Sequence, residues 1–477
     1  MNADIIGFSI LLLGVGLVVA KLVRLKFAIF SKFFLPSSII AGFLFLIIGP
    51  EILGRILPNF EVFANLEYGL LTEEIVTVFS SLPALLISVI FAALFLGKKI
   101  PHIKEIWLTA GPQVSFGQTV AWGQYVLGIL LAIFVLSPVF GLPYMSGALI
   151  EIAFEGGHGT AAGLASTFED VGFAEGADLA LGLATIGVVS GVIFGVILIN
   201  WGVRKGKTNF LKDPKSLDET ELRGIVGLES EEEKPSAGRL TVSPYSIAPL
   251  ALHVGMIGVA ILLGRGILEL LVRLENATWG ADDGVIIMGY LPLFPLAMLG
   301  GVIVQVFLDK YDSYGLIDRE MIKRLQGLAL DFLIASAIAT LSLQVLGANI
   351  WAFLLLAIVG ILWNVGAFLF LARRMIPKNW FERGIGDFGQ SMGMTAAGLM
   401  LIRIVDSKGD SKALEAFGYK QLLFEPFVGG GIMTALSVPL IFNFGPWPLL
   451  IFVTIVMIIW LLVGLLYFGR MDASKID

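Results

Sequence analysis

The chain has 477 residues, 57% hydrophobic and only 15% charged, with three histidines, no cysteine and a formal net charge of -6. Soluble globular domains carry about 25% charged residues, so a mean hydropathy of +0.89 excludes one here. The charge leaves no basic footprint for nucleic acid, and without cysteine neither disulfides nor thiolate metal sites can form.

Apolar runs of about 20 residues, the length that crosses a hydrocarbon core of about 30 Å, recur along almost the whole sequence. The lipid bilayer is therefore the expected surrounding, and a β-barrel, with its short alternating segments, is excluded. The first run, Ile5 to Ala20, follows Asp4 and precedes Lys21, Arg24 and Lys26. That is the reverse of a signal peptide's charge order, so a retained helix is expected. Spanning helices are predicted over 5–24, 36–54, 75–97, 108–136 and 178–201, then over 246–271, 285–308, 325–346, 350–372, 421–443 and 447–468, eleven spans in all.

Between the fourth and fifth helix of each half lies an apolar but glycine-rich stretch, 145–166 and 384–404, too broken by glycine and charge to be an ordinary span. Both are expected as re-entrant hairpins. The positive-inside rule supports this count. With the N-terminus outside and the C-terminus inside, 29 of the 32 Lys and Arg fall on the cytoplasmic side, among them Lys32, Lys99, Arg383, Arg403, Lys408, Lys420 and Lys475; Arg55, Arg265 and Arg273 do not. Glu67, Glu73, Glu169 and Glu175 fall outside.

Five spans before the central loop make the second half enter the membrane from the opposite side, an inverted repeat. The run Thr160-Ala-Ala-Gly-Leu164 recurs unchanged as Thr395-Ala-Ala-Gly-Leu399, at the same place in each half. The expected fold is an all-α membrane protein with an N-terminal half over 1–203, a linker over 204–245, an inverted C-terminal half over 246–443, and an extra helix with a cytoplasmic tail over 444–477. The linker is charged, carries Glu229 and Glu231 to Glu233, and lacks apolar periodicity, so it reads as cytoplasmic and partly disordered.

Non-helical backbone at membrane depth survives only where it is packed in protein or lines a polar cavity. The two hairpins, Glu151 to Gly163 and Gly384 to Gly398, are therefore the candidate site. Thr160 and Thr395 stand where an N-cap hydroxyl belongs, so each tip starts a half-helix whose free N–H groups suit a carboxylate, while turn carbonyls suit a cation such as Na⁺; glycine-packed ordinary helices are the alternative.

Charge at such depth is functional or paired. Glu155 and Asp387 are candidates to ligate a cation or carry a proton, or else to form a neutralising pair. His158 packs or ligates, with no second His nearby, and Arg403 is a candidate clamp for a substrate carboxylate. Gln113, Gly117, Gln124 and Gly128 fall on one helical stripe, which faces protein. Asp331 and Asn364 are lone polar groups in later helices, Asp331 a further cation-site candidate.

The run Glu155-Gly-Gly-His-Gly-Thr160 followed by small residues, with five helices per half and a basic central loop, resembles the bacterial sodium/glutamate symporters. The resemblance is specific around 155–163; Glu151, Asp387 and the helix after Trp447 differ from that pattern. It implies two inverted domains with re-entrant loops, Na⁺-driven glutamate uptake at a cell inner membrane, no cofactor beyond the coupling ion, and a homodimer working by an elevator-like movement. By matched position it makes Gly156, Gly157, His158, Gly159 and Thr160 substrate-site residues. Gln124 joins them from the fourth helix; the second loop, Gly386 to Gly398, keeps the glycine-rich character but not the family's pattern, and Ser391, Gly393 and Thr395 are added from their own place in it. Gln390 joins Glu155, Asp387 and Asp331 as an ion-site candidate. A proton-coupled or exchanging dicarboxylate carrier, a passive channel and an embedded enzyme using His158 with Glu155 are the other readings.

Overall fold

A computed structural model describes residues 2–27, 30, 35–59, 65–98, 103–210, 236–281, 287–393, 395–406 and 410–471. The linker's acidic run at Glu229 and Glu231 to Glu233 lies outside them, as do Lys32, Lys99, Lys408 and Lys475.

Among the described residues the chain is all-helical, without strands. The helices that matter below are α1 (Ala3–Lys26), α2 (Ser37–Ile48), α3 (Glu73–Ala92), α4 (Ile103–Leu131), α5 (Leu149–Phe154), α6 (Gly157–Gly163) and α7 (Glu175–Arg204), followed by α8 (Pro249–Ala277), α9 (Leu293–Tyr311), α10 (Arg319–Ala339), α11 (Ile350–Ala367), α12 (Trp380–Gln390), α13 (Thr395–Val405), α14 (Ala413–Phe424), α15 (Ile432–Phe444) and α16 (Pro446–Leu462). Nine helical segments among the described residues are long and apolar enough to cross a membrane, by length and composition. They match nine of the eleven expected spans.

The other two expectations are corrected. The span expected over 325–346 is α10, which stops at Ala339, begins among Arg319, Glu320, Lys323 and Arg324, and is not one of the nine. The span expected over 421–443 is two helices, α14 and α15, separated by Glu425 to Gly431. Gly429 and Gly430 adopt φ of 70° and 101°, a backbone that only glycine takes up readily, and Pro426 supplies no N–H to continue a helix.

The chain folds as two compact units, each drawn from both halves of the sequence. The first comprises 1–100, 218–284 and 292–344 and holds α1, α2, α3, α8, α9 and α10. One apolar cluster joins Leu13 and Ala20 of α1 to Phe45 of α2, Phe79 of α3 and Ala335 of α10. A second joins Ala92 to Ile257, Ala260, Ala297 and Ile322. The C-terminus of α3 leaves carbonyls without helical partners, and Arg319 donates to two of those that follow, Ala93 O at 2.9 Å and Leu96 O at 2.7 Å. Long apolar faces of α1 (Leu11, Val15, Leu22) and α8 (Leu250, Leu262, Leu270) remain exposed, as a lipid-facing surface requires.

The second unit comprises 101–217, 285–291 and 345–477. Here α4 and α11 each end in a π-helical turn, 132–136 and 368–372, directly before the segment expected as a hairpin. Helices α5 and α6 follow the first, and α12 and α13 follow the second.

Candidate functional site

The site is assembled in the second unit from three breaks in helices. The first, at Glu155 and Gly156, separates α5 from α6. The second, described over 391–393, lies between α12 and α13, and the third is Glu425 to Gly431. The first two meet: Gly157, at φ 69°, lies so close to Gly393 that a Cβ there would overlap the Gly393 carbonyl oxygen. The third lies alongside, with Gly429 packed near the Glu155 carbonyl oxygen.

Helix α4 supplies a polar floor, and the stripe expected to face protein does so at all four positions. Gln124 Nε2 donates to Asn364 Oδ1 at 3.0 Å and to Ser391 O at 3.1 Å, while Asn364 Nδ2 donates to the same carbonyl at 2.5 Å. One backbone oxygen of the second break is thus fixed by two buried amides. Gln113 Nε2 donates to Arg383 O at 3.3 Å. Gly128 packs against the Gly147 carbonyl, just before α5, and Gly117 makes room for the Lys420 ammonium.

The acidic groups fall into distinct settings. The Glu151 carboxylate is fully buried and accepts from three donors: Tyr125 Oη at 2.5 Å, Gly429 N at 2.9 Å and Thr434 Oγ1 at 2.8 Å. It ties the third break to the first. Asp387 is paired with Lys420, Oδ1 to Nζ 3.1 Å, and both side chains are 0% exposed. Lys420 also donates to Gln390 Oε1 at 3.0 Å, an oxygen that Gln421 Nε2 reaches at 3.0 Å. Glu155 is buried beside Ser391 with Lys420, Glu151 and Asp387 as its charged neighbours, and neither of its oxygens makes a hydrogen bond. The hydroxyls of Thr160 and Ser391 and Gln124 Oε1 are also buried without a bond, although such groups ordinarily have one.

The structure therefore brings together Gly156, Gly157, His158, Gly159, Thr160, Glu155, Gln124, Asp387, Gln390, Ser391 and Gly393. His158 Nε2 is 2.9 Å from Thr185 Oγ1 on α7, so its ring is engaged by a hydroxyl. Thr160 lies inside α6, whose N-cap is Gly156, so it is not the cap the sequence suggested. Gly157 takes the turn instead, starting the helix four residues sooner. Thr395 is the first residue of α13 and is half-buried. Arg403 is exposed on α13, and Asp331, exposed on α10, belongs to the first unit.

Sequence reasoning missed Lys420, Tyr125, Thr434 and the third break. Lys420 and Arg383, counted among cytoplasmic loop charges, are buried. The signal was present in Gly429-Gly430-Gly431 after Glu425 and Pro426, in a stretch read as one span.

No curated protein sequence matches the chain. The family model described as sodium/glutamate symporter matches residues 3–405, which includes the first two breaks and most of both units. With most of its length matched, the chain belongs to the sodium/glutamate symporter family.

Proposed function

We propose that this transporter couples Na⁺ entry to uptake of glutamate or a similar anionic amino acid, by an elevator-like alternating-access mechanism. The observation that carries the reading is the meeting of the two breaks at Gly157 and Gly393, surrounded by buried oxygens of Glu155, Thr160, Ser391 and Gln124 that no protein group satisfies. Desolvated polar groups of this kind are costly unless a polar ligand joins them. Glu155, Asp387 and Gln390 are assigned to the coupling ion, for which oxygen donors are the fitting chemistry. The substrate is assigned to Gly156 through Thr160, Ser391, Gly393 and Gln124, with Thr395 at the start of α13 where free N–H groups favour a carboxylate. Arg403 and Asp331, both exposed, are assigned secondary roles at most.

The re-entrant, inverted-repeat reading is supported by three parallels between the halves: the repeated Thr-Ala-Ala-Gly-Leu, the π-helical turn before each break, and the same allocation of three helices from each half to the first unit. The proposed setting is a bacterial-type inner membrane with the N-terminus outside, the linker cytoplasmic, and the protein a homodimer.

Reconstituted protein is expected to accumulate labelled L-glutamate when an inward Na⁺ gradient is imposed, and not when K⁺ replaces Na⁺. Equal uptake in both conditions would remove sodium coupling. Uptake that follows an inward proton gradient instead would establish the second reading, a proton-coupled dicarboxylate carrier, which the unbonded Glu155 carboxylate favours.

A further inference from the structure

Lys420 stands on α14, beyond the residues matched by the family model. Its ammonium is wholly buried, 3.1 Å from Asp387 Oδ1 and 3.0 Å from Gln390 Oε1, and lies 4.0 Å from the centre of the Phe424 ring. Gly117 is what admits it, since a Cβ there would sit 2.5 Å from Nζ. The charges around it are unequal. Glu151 is already held by three donors, and the buried Arg383 donates to Thr109 O at 3.2 Å. One ammonium is thus shared by two neighbouring carboxylates, Asp387, with which it is ion-paired and on which the Arg383 charge also acts, and Glu155.

Removing either partner of a buried ion pair leaves an uncompensated charge, so Asp387 can give up Lys420 only to another cation, and Lys420 can leave only for another anion. A lysine suits that exchange: its charge is compact and rides on a flexible stem, unlike a planar guanidinium fixed by its fork. We infer that Lys420 is a tethered cation that occupies Asp387 when sodium is absent and passes to the carboxylate of the substrate when sodium takes its place. This rests on the sodium and anionic amino-acid reading above. It supplies a coupling device: sodium frees the lysine that the substrate needs, and the substrate holds the lysine away from the sodium ligand. Each ligand then raises the affinity of the other, as reciprocity requires.

The test uses the purified full-length protein. Thermal stabilisation by NaCl, with choline chloride keeping ionic strength constant, is followed with and without L-glutamate. In Lys420→Gln the sodium midpoint without substrate should fall about tenfold, because the competing cation is gone. Glutamate affinity at saturating sodium should weaken about tenfold, and glutamate should no longer shift the sodium midpoint. Lys420→Arg, which keeps the charge but not the compact ammonium, should not lower the sodium midpoint below the wild-type value. A purely structural lysine would weaken sodium and glutamate together, and that result, or an unchanged sodium midpoint, overturns the inference. If Lys420→Gln does not fold, Gly117→Ala keeps every charge and places a Cβ 2.5 Å from Nζ, crowding the ammonium away from Asp387. A lower sodium midpoint without substrate supports the exchange, and an unchanged one contradicts it. Absence of sodium stabilisation in the wild type would instead overturn the sodium-symport reading, and the inference with it.

Discussion

Replacing Gly157 by alanine is expected to abolish transport, lowering initial uptake about 100-fold, while the protein still extracts as a monodisperse species. Two effects combine at this residue. Its φ of 69° costs an L-residue roughly 1–2 kcal/mol, and the added Cβ would overlap the carbonyl oxygen of Gly393. The second break cannot simply retreat, because Gln124 and Asn364 both grip the carbonyl two residues before Gly393, that of Ser391, and Gly393 itself packs against Val188 of α7. Relief must come from parting the two breaks, and a displacement of about 1 Å at a reacting or binding centre can cost 100-fold. Uptake within about twofold of wild type, at equal folded protein, would show that the contact between the breaks has no part in transport.

The largest loss of stability is expected from Glu151→Ala. The change leaves Tyr125 Oη, Gly429 N and Thr434 Oγ1 without their shared acceptor, inside a region where each is buried or nearly so. Each buried donor left unsatisfied costs about 1–3 kcal/mol, so three together cost about 3–5 kcal/mol. For a domain of this size that corresponds to a fall in Tm of roughly 10 °C. Glu151→Gln, which keeps one carbonyl acceptor, should lie between the two. The comparison is made by thermal unfolding in a fixed detergent. A Tm for Glu151→Ala indistinguishable from wild type would mean that the third break is held by something other than this carboxylate.

Much of the architecture was legible because lipid imposes a simple rule on sequence. Nine apolar runs of spanning length became helices of spanning length, and the stripe of Gln113, Gly117, Gln124 and Gly128 on α4 did face protein. The glycine-rich stretches were recognisable as breaks because Gly156-Gly157 and Gly393 interrupt otherwise helical runs. What escaped was the interior of the unit, where hydropathy gives opposite advice. A lysine at 420 looks like a loop charge until Asp387, 33 positions earlier, is seen to neutralise it; the sequence places the two on separate segments with nothing to link them.

The same difficulty hid the third break. Phe427 and Val428 keep the local hydropathy high, so Glu425 to Gly431 passed for part of a single span, although its three glycines and proline favoured a turn. Thr160 misled in another way. Its hydroxyl suited an N-cap, but Gly157 can adopt a positive φ that starts the helix four residues earlier. Asp331 and Arg403 were chosen for being charged in apolar surroundings, and helix rotation, which composition does not fix, leaves both with exposed side chains.

In the proposed function the buried oxygens around the first two breaks hold the cargo. This is tested most directly by measuring Na⁺-dependent uptake of labelled L-glutamate in parallel for the wild type and Thr160→Val, a change close to isosteric that deletes one buried hydroxyl without a bond. The account predicts Na⁺-dependent uptake by the wild type and its loss in the variant, with the folded yield and Tm of the two alike. Identical sodium-dependent kinetics in both proteins would place the cargo elsewhere and contradict it.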